Sequence, residues 1–190
     1  MKISIIDHVG VKSGMNYYTK SLADGLHANK AEVFVYSNFN DESHSKVIYN
    51  KYFTANRGGR ISTGLNLFKS VLKSVLSCKK NNIENMIINV FTADIFTFVF
   101  AALGKIFSKR LIIIVHDIET FKGKNTRIFE TVIYNHFADL IVVHNIFCSN
   151  MISKKIKNKN KIFVINQGGY INFFNDKNHS LISKKIIKQN

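Results

Sequence analysis

The segment LIIIV at residues 111–115 constrains the fold more than any other part of the chain. All five residues are apolar, and polar residues follow at once from position 116 onwards. A strand without a polar position has no face to expose to water, so other elements must cover it on both sides. This pattern is typical of a central strand in a parallel sheet with helices on both faces.

The rest of the chain alternates between strand-like and helix-like segments. Short apolar runs indicate strands, and apolar residues recurring every three to five positions indicate helices. Such alternation implies right-handed crossovers, so we predict an α/β fold with a doubly wound parallel, Rossmann-like sheet in a three-layer α/β/α arrangement. The predicted strands are 3–6, 33–36, 47–49, 86–90, 111–115, 140–143 and 162–165. One predicted helix begins at residue 14, and the others cover residues 65–80, 95–107, 127–137 and 145–157.

In a doubly wound sheet, ligands bind at the carboxyl ends of the strands, so the loops after the strands are the candidate sites. The first of these loops, DHVGVKSGMN at residues 7–16, matches neither the GxGxxG fingerprint nor the GxxxxGK[ST] phosphate loop. Gly14 nevertheless falls where a helix begins, and there it either lets a ligand approach the backbone N–H groups or only makes the turn. Asp7, Gly14, Met15 and Asn16 are therefore candidate substrate-binding residues.

The most apolar strand ends in a polar cluster, HDIET at residues 116–120. His116 is the candidate catalytic residue, because an imidazole can hold a substrate hydroxyl or carry a proton near neutral pH. Asp117 and Glu119 could accept substrate hydroxyls or cap the following turn. After the next strand, Asn145 is expected to cap a helix, with a sugar contact as the alternative.

Composition excludes several classes of protein. A hydrophobic fraction of 46% is too high for a disordered basic tail, and 190 residues suffice for one domain with its own core. The N-terminus lacks the long apolar run of a secretory signal, and no apolar stretch reaches the roughly 20 residues that cross a membrane. Cys78 and Cys148 form no redox or metal pattern, so we expect reduced thiols, no metal site and a cytoplasmic protein.

Taken in order, these segments resemble the N-terminal half of a GT-B glycosyltransferase, specifically of the large retaining family four. The resemblance is carried by MKISIID with its loop VGVKSGMNYY, by the strand ending in IIIVHDIETF, and by the segments ADLIVVHN and KIFVINQGGYINFF. That family typically has a His-Asp pair at the end of a central strand, as His116 and Asp117 are here. The similarity covers residues 1–175, and its specificity lies in the order and spacing of the segments.

The resemblance implies that residues 1–175 form the acceptor-side domain, one half of a GT-B architecture. Gly14 and its neighbours would line the interdomain cleft near the donor phosphates, and His116 would face the transferred sugar. Residues 176–190 would begin the linker to a missing donor-binding domain, which carries the E-x7-E element of the family. The parent enzyme would transfer a hexose from a nucleoside diphosphate sugar to a saccharide or lipid-linked acceptor. The alternative is a non-catalytic subunit that recruits acceptor or membrane for a separately encoded donor domain.

The positive charge suggests a further partner. Lys and Arg number 27 against 12 Asp and Glu, a net charge of +15, and residues 151–190 carry about half of the excess. The segment 65–80 is predicted to be an amphipathic helix with apolar residues on one face and lysines opposite. Its basic side could rest peripherally on the inner face of an anionic membrane, or form an ordinary solvated surface. A nucleic-acid partner is supported by charge alone and is not expected. The candidate membrane-surface residues are Lys69, Lys73, Lys79 and Lys80.

Overall fold

The computed structural model describes residues 1–40, 46–54, 60–116 and 127–166, except the side chains of residues 12, 13, 60, 61 and 127. In this part of the chain all strand pairs are parallel. The strands are β1 (Lys2–Ile6), β2 (Glu32–Ser37), β3 (Ile48–Lys51), β4 (Asn85–Val90), β5 (Arg110–Val115), β6 (Leu140–Val143) and β7 (Ile162–Val164). They form one seven-stranded sheet in the order β3-β2-β1-β4-β5-β6-β7, so the predicted doubly wound α/β sheet is confirmed.

The helices of the described residues lie between successive strands, with short 3-10 turns at Gly10–Ser13 and Lys159–Lys161. The predicted helix 127–137 is a short α-helix continued by a π-helical turn, Ile133–Phe137. The predicted helix 145–157 is shorter than expected, because it begins after Asn145 and ends at Ser153. The α-helices are α1 (Met15–Ala28), α2 (Arg60–Lys80), α3 (Ile95–Phe107), α4 (Arg127–Val132) and α5 (Ile146–Ser153).

Strand β5 lies between two separate hydrophobic clusters, as its apolar sequence predicts. Leu111, Ile113 and Val115 pack into the cluster under α2, α3 and α5. Ile112 and Ile114 point to the opposite face and pack into the cluster under α1. Each fully buried isoleucine contributes about 1.5–3 kcal/mol relative to exposure, so the strand is stable only when both faces are covered.

Helix α2 presents its side chains differently from the sequence prediction. Its buried face consists of Val71, Ser74, Val75 and Cys78, all with no exposed area. Leu65, Phe68 and Leu76 belong to the apolar face that the sequence predicts, but they are 57%, 42% and 49% exposed. They lie on the same side of the helix as its lysines, so the predicted separation of apolar and basic faces is wrong. Within the described residues, no helix combines the length and hydropathy needed to span a bilayer.

Candidate functional site

The ligand edge of the sheet is the edge where β1, β4, β5 and β6 end. Strand order reverses between β1 and β4, and a doubly wound sheet leaves a crevice at this switch point. Asp7 follows β1, Phe91 follows β4, His116 follows β5 and His144 follows β6. The topology therefore brings together residues that are up to 137 positions apart in the sequence.

Asp7 organises the loop between β1 and α1 and has no exposed area. Its Oδ1 accepts hydrogen bonds from the backbone N–H groups of Val9 at 3.1 Å and Gly10 at 2.8 Å. Its Oδ2 accepts from the Thr19 hydroxyl at 2.7 Å. A buried carboxylate is stable only with such partners. This geometry favours a structural and positioning role for Asp7; a direct contact with substrate stays a prediction.

The backbone at Gly10 is held by close packing. Gly10 has a φ of 49°, and a Cβ atom there would lie 2.0 Å from the Asn38 Oδ1 atom. The Asn38 side chain in turn accepts from the Val11 N–H at 3.1 Å and donates to the Val9 carbonyl at 3.0 Å. The loop is thus fixed from both sides, by Asp7 and by Asn38.

Gly14 ends the 3-10 turn and begins α1, as the sequence predicts. It has φ 67° and ψ 9°, a left-handed conformation that favours glycine, and it is exposed. Met15 and Asn16 form the first turn of α1, which contains no acidic residue. Tyr18, about one turn further along α1, contacts His116 at the ligand edge. Binding of substrate by Gly14, Met15 and Asn16 remains a prediction.

His116 is enclosed by aromatic rings. Its ring stacks on Phe91 at 4.7 Å between centroids, meets Tyr18 edge-on at 4.8 Å, and lies 5.0 Å from His144. Its Nε2 is 3.3 Å from the Asn89 Oδ1 atom. Burial, together with the neighbouring His144, lowers the pKa of His116 to about 4. The imidazole is therefore neutral at pH 7, which favours the predicted role of holding a hydroxyl over that of carrying a proton.

His144 completes one wall of this enclosure. Its Nδ1 lies 3.1 Å from the Ile165 carbonyl oxygen, and its ring meets Tyr18 at 5.4 Å. The neighbouring Asn145 caps α5, because its side-chain oxygen accepts from the Cys148 N–H at 2.7 Å. The predicted capping role of Asn145 is confirmed, whereas its contact with a sugar stays a prediction.

Five residues of the site lay outside the sequence-based prediction, namely Tyr18, Thr19, Asn89, Phe91 and His144. A signal for Asn89 was present, because it is a polar residue inside the otherwise apolar run of β4, all of which is buried. Thr19 lies among partly exposed residues of α1 and carries no such signal. The predicted residues Asp117 and Glu119 lie outside the described residues. Among the residues that the structure describes, no group of three His, Cys, Asp or Glu side chains could hold a metal ion.

The sheet order and the edge site define a Rossmann-like α/β domain, and solved structures with this fold include glycosyltransferases of the GT-B type. HepE from Anabaena, solved with UDP and glucose, matches with a TM-score of 0.66 and 17% identity over 98% of this chain and 50% of its own. A glycosyltransferase from Rickettsia africae matches with a TM-score of 0.62 and 16% identity, over 99% of this chain and 49% of its own.

A structure of sucrose-phosphate synthase from Thermosynechococcus elongatus has a TM-score of 0.61 and 16% identity, and the match covers 100% of this chain and 98% of the other. The fold is also shared by a UDP-N-acetylglucosamine 2-epimerase from Rickettsia bellii, at 12% identity and a TM-score of 0.58. No protein-family model matches the sequence, and no curated protein matches it. The chain therefore has the fold of a GT-B domain, and it spans about half the length of HepE and of the Rickettsia africae enzyme.

Proposed function

We propose that the chain is the acceptor-side domain of a nucleotide-sugar-dependent, retaining glycosyltransferase. The enzyme would transfer a hexose from a nucleoside diphosphate sugar to a saccharide or lipid-linked acceptor in polysaccharide biosynthesis. The observation that supports this most is the enclosure of a neutral imidazole, His116, at the ligand edge of a GT-B-like sheet, one strand from the switch point. HepE, solved with UDP and glucose, shares this fold.

The enclosure suits a sugar better than a phosphate. Tyr18 and Phe91 provide aromatic surface, on which the C–H face of a sugar ring can pack. His116 is neutral and offers no charge to a diphosphate, whereas a lone pair of its ring can accept a hydrogen bond from a sugar hydroxyl. The donor diphosphate would be held by a second domain, so this chain needs no cofactor or metal of its own for the proposed role.

The test is hexosyl transfer by this chain together with the donor domain, whether that domain follows residue 190 in the gene or is separately encoded. With a panel of labelled nucleoside diphosphate hexoses, His116→Ala should lower kcat at least tenfold. The control is His136→Ala, an exposed histidine in the π-helical turn that precedes β6 at the opposite edge. Unchanged turnover in His116→Ala would show that this residue takes no part in transfer.

The same assay separates the main proposal from its alternative, a non-catalytic subunit that recruits acceptor or membrane. In that case a donor domain would transfer sugar to soluble acceptors without this chain, and adding the chain would change only the KM for the acceptor. If this chain is one half of the enzyme, in contrast, the donor domain alone should show no turnover.

We also propose that α2 places the domain on the cytoplasmic face of an anionic membrane. Leu65, Phe68 and Leu76 are exposed beside Lys69 and three further lysines, so one side of α2 is both apolar and basic. Lys73 lies 4.1 Å from the Tyr52 ring centroid and Lys79 lies 5.7 Å from that of Phe107. Apolar side chains that insert between basic ones are how interfacial helices bind anionic lipid.

Co-sedimentation with liposomes tests the membrane proposal. Binding should be stronger to phosphatidylglycerol vesicles than to phosphatidylcholine vesicles, and it should weaken with salt. The double variant Lys69→Glu/Lys80→Glu should lower binding at least tenfold, because each basic residue near such a surface contributes about 1 kcal/mol. The control, Lys157→Glu/Lys159→Glu, changes the net charge equally at exposed sites on another surface. Equal losses of binding in both variants would show that binding depends only on overall charge and would contradict a docking role for α2.

The nucleic-acid alternative is tested by adding duplex DNA as a competitor in the same liposome assay.

A further inference from the structure

Four polar side chains form a continuous line from the first loop to the candidate catalytic histidine. The Thr19 hydroxyl is 2.7 Å from Asp7 Oδ2, Asn89 Nδ2 is 3.4 Å from Thr19 Oγ1, and His116 Nε2 is 3.3 Å from Asn89 Oδ1. Asp7, Thr19 and Asn89 are at most 1% exposed. At this depth water cannot replace a hydrogen bond that is lost, so each donor must face an acceptor.

The direction of every hydrogen bond in this line follows from Asp7, its first residue. As a carboxylate, Asp7 can only accept hydrogen bonds, and its Oδ1 already accepts from the N–H groups of Val9 and Gly10. The Thr19 hydroxyl has one proton, which it donates to Asp7 Oδ2. The oxygen of Thr19 is then an acceptor towards Asn89.

The orientation of the Asn89 amide is therefore determined. Its NH₂ group must face Thr19, so its carbonyl oxygen faces His116 Nε2. A carbonyl oxygen can only accept, and the imidazole must therefore carry its proton on Nε2.

We infer that Asp7, acting through Thr19 and Asn89, fixes His116 as the neutral Nε2–H tautomer and leaves Nδ1 as the nitrogen that accepts a hydrogen bond from a ligand hydroxyl. Thr19 and Asn89 are thus positioning residues. The proton on Nε2 follows from the hydrogen-bond geometry and the neutral state from the burial of the ring, whereas the contact with a ligand hydroxyl rests on the proposed function.

The surroundings of His116 agree with a neutral ring. Among the residues that the structure describes, the titratable groups in ring contact with it are His144 and Tyr18. His144 donates its Nδ1–H to the Ile165 carbonyl, and its Nε2 is buried without a hydrogen-bond partner. A neutral His116 ring offers an acceptor on Nδ1, which suits a ligand hydroxyl better than an anionic oxygen atom.

A single substitution should reverse the donor and acceptor roles along this whole line of hydrogen bonds. In Asp7→Asn the amide oxygen is held at the Oδ1 position by the N–H groups of Val9 and Gly10, so the NH₂ group faces Thr19. The Thr19 proton then turns to Asn89, whose amide rotates and donates to His116 Nε2. His116 must in consequence move its proton to Nδ1.

The experiment is long-range ¹H–¹⁵N NMR of the chain with labelled histidine at pH 7.5, which distinguishes the two tautomers directly. The His116 signals are assigned among the seven histidines by their loss in His116→Gln. The wild-type chain and Thr19→Ser should show His116 as Nε2–H. Thr19→Val, which removes the hydroxyl at nearly constant volume, should give a mixture of tautomers, and Asp7→Asn should give Nδ1–H.

The wild-type spectrum decides even if a variant fails to fold, because an Nδ1–H ring or an even mixture in the wild-type chain would overturn the inference. Folded Thr19→Val and Asp7→Asn chains with an unchanged Nε2–H signal would also overturn it, since another group would then hold the proton. No substrate is used, so the result is independent of whether the chain belongs to a glycosyltransferase.

Discussion

At the residue scale, the pKa of His116 connects the site to the stability of the domain. Burial and the neighbouring His144 lower that pKa to about 4, from an ordinary value of 6.5. Between pH 6.5 and pH 4 the unfolded chain therefore binds a proton that the folded chain does not bind. Lowering the pH in this interval favours unfolding, and the stability contributed by neutral His116 is complete only above pH 6.5.

We therefore predict that the wild-type chain loses up to about 3 kcal/mol more stability than His116→Gln between pH 7 and pH 4, taking 1.36 kcal/mol per pKa unit. Urea unfolding of both proteins across this range measures the difference. If the free energy of unfolding changed with pH by the same amount in both proteins, His116 would have an ordinary pKa in the folded chain.

Gly10 and Gly14 give a second prediction at the residue scale. Both have positive φ, but a Cβ at Gly10 would clash with Asn38, whereas one at Gly14 would meet nothing within 4 Å. Gly10→Ala should destabilise the domain by at least about 2 kcal/mol, and Gly14→Ala by about 1 kcal/mol from backbone strain alone. Chemical unfolding compares the two, and similar losses would show that the loop adapts around Asn38.

At the element scale, α2 shows why hydrophobic periodicity does not by itself identify a buried face. Its apolar residues form an arc wider than the strip that packs on the sheet, so periodicity alone does not say which part of the arc is buried. The face that packs on the sheet carries small and β-branched residues, Val71 and Val75, together with Ser74 and Cys78. The larger Leu65, Phe68 and Leu76 are left outside, where they are available for the proposed membrane contact.

Two substitutions on α2 test this assignment. Val71→Ala should cost about 2 kcal/mol, because it removes fully buried methyl groups and leaves a cavity. Leu76→Ala removes more atoms from a position that is 49% exposed, and it should cost less than about 0.5 kcal/mol. Thermal or urea unfolding gives both values. A larger loss of stability for Leu76→Ala than for Val71→Ala would show that the face predicted from periodicity is the buried one.

At the scale of the whole molecule, one buried ion pair ties α4 to the turn after α5. Lys155 Nζ donates to Glu130 Oε2 at 2.7 Å, and the Glu130 side chain is only 7% exposed. Breaking a buried pair leaves one charge without its partner, which is costly. The pair thus joins elements on either side of β6, next to the strand that ends at His144.

We predict that Glu130→Gln lowers stability by about 2 kcal/mol. Its counterpart, Glu84→Gln, weakens the ion pair of Glu84 with Lys109 on the surface and should cause no measurable change, because water replaces that partner. Unfolding at low and high salt distinguishes the pairs, since only a surface pair is strongly screened. A salt-sensitive, small effect of Glu130→Gln would show that this pair is hydrated as well.

The sequence by itself determined the order and type of the main elements. LIIIV had to be a buried strand, because no polar side chain could face water, and strands that alternate with helices impose a parallel, doubly wound sheet. It also determined that His116 lies at the ligand edge and that Asn145 caps a helix, since both follow from position at the end of a strand.

Only the tertiary structure decided which residues meet. Thr19, Asn89 and His144 come from a helix, a strand and a loop distant in sequence, and no local pattern marks them as partners of His116. Their contacts arise because the sheet order places β1 between β2 and β4, and β5 between β4 and β6. Packing against the sheet also determined the buried face of α2, because Val71 and Val75 enter the core whereas Leu65 and Leu76, which local periodicity treats as equivalent, stay exposed.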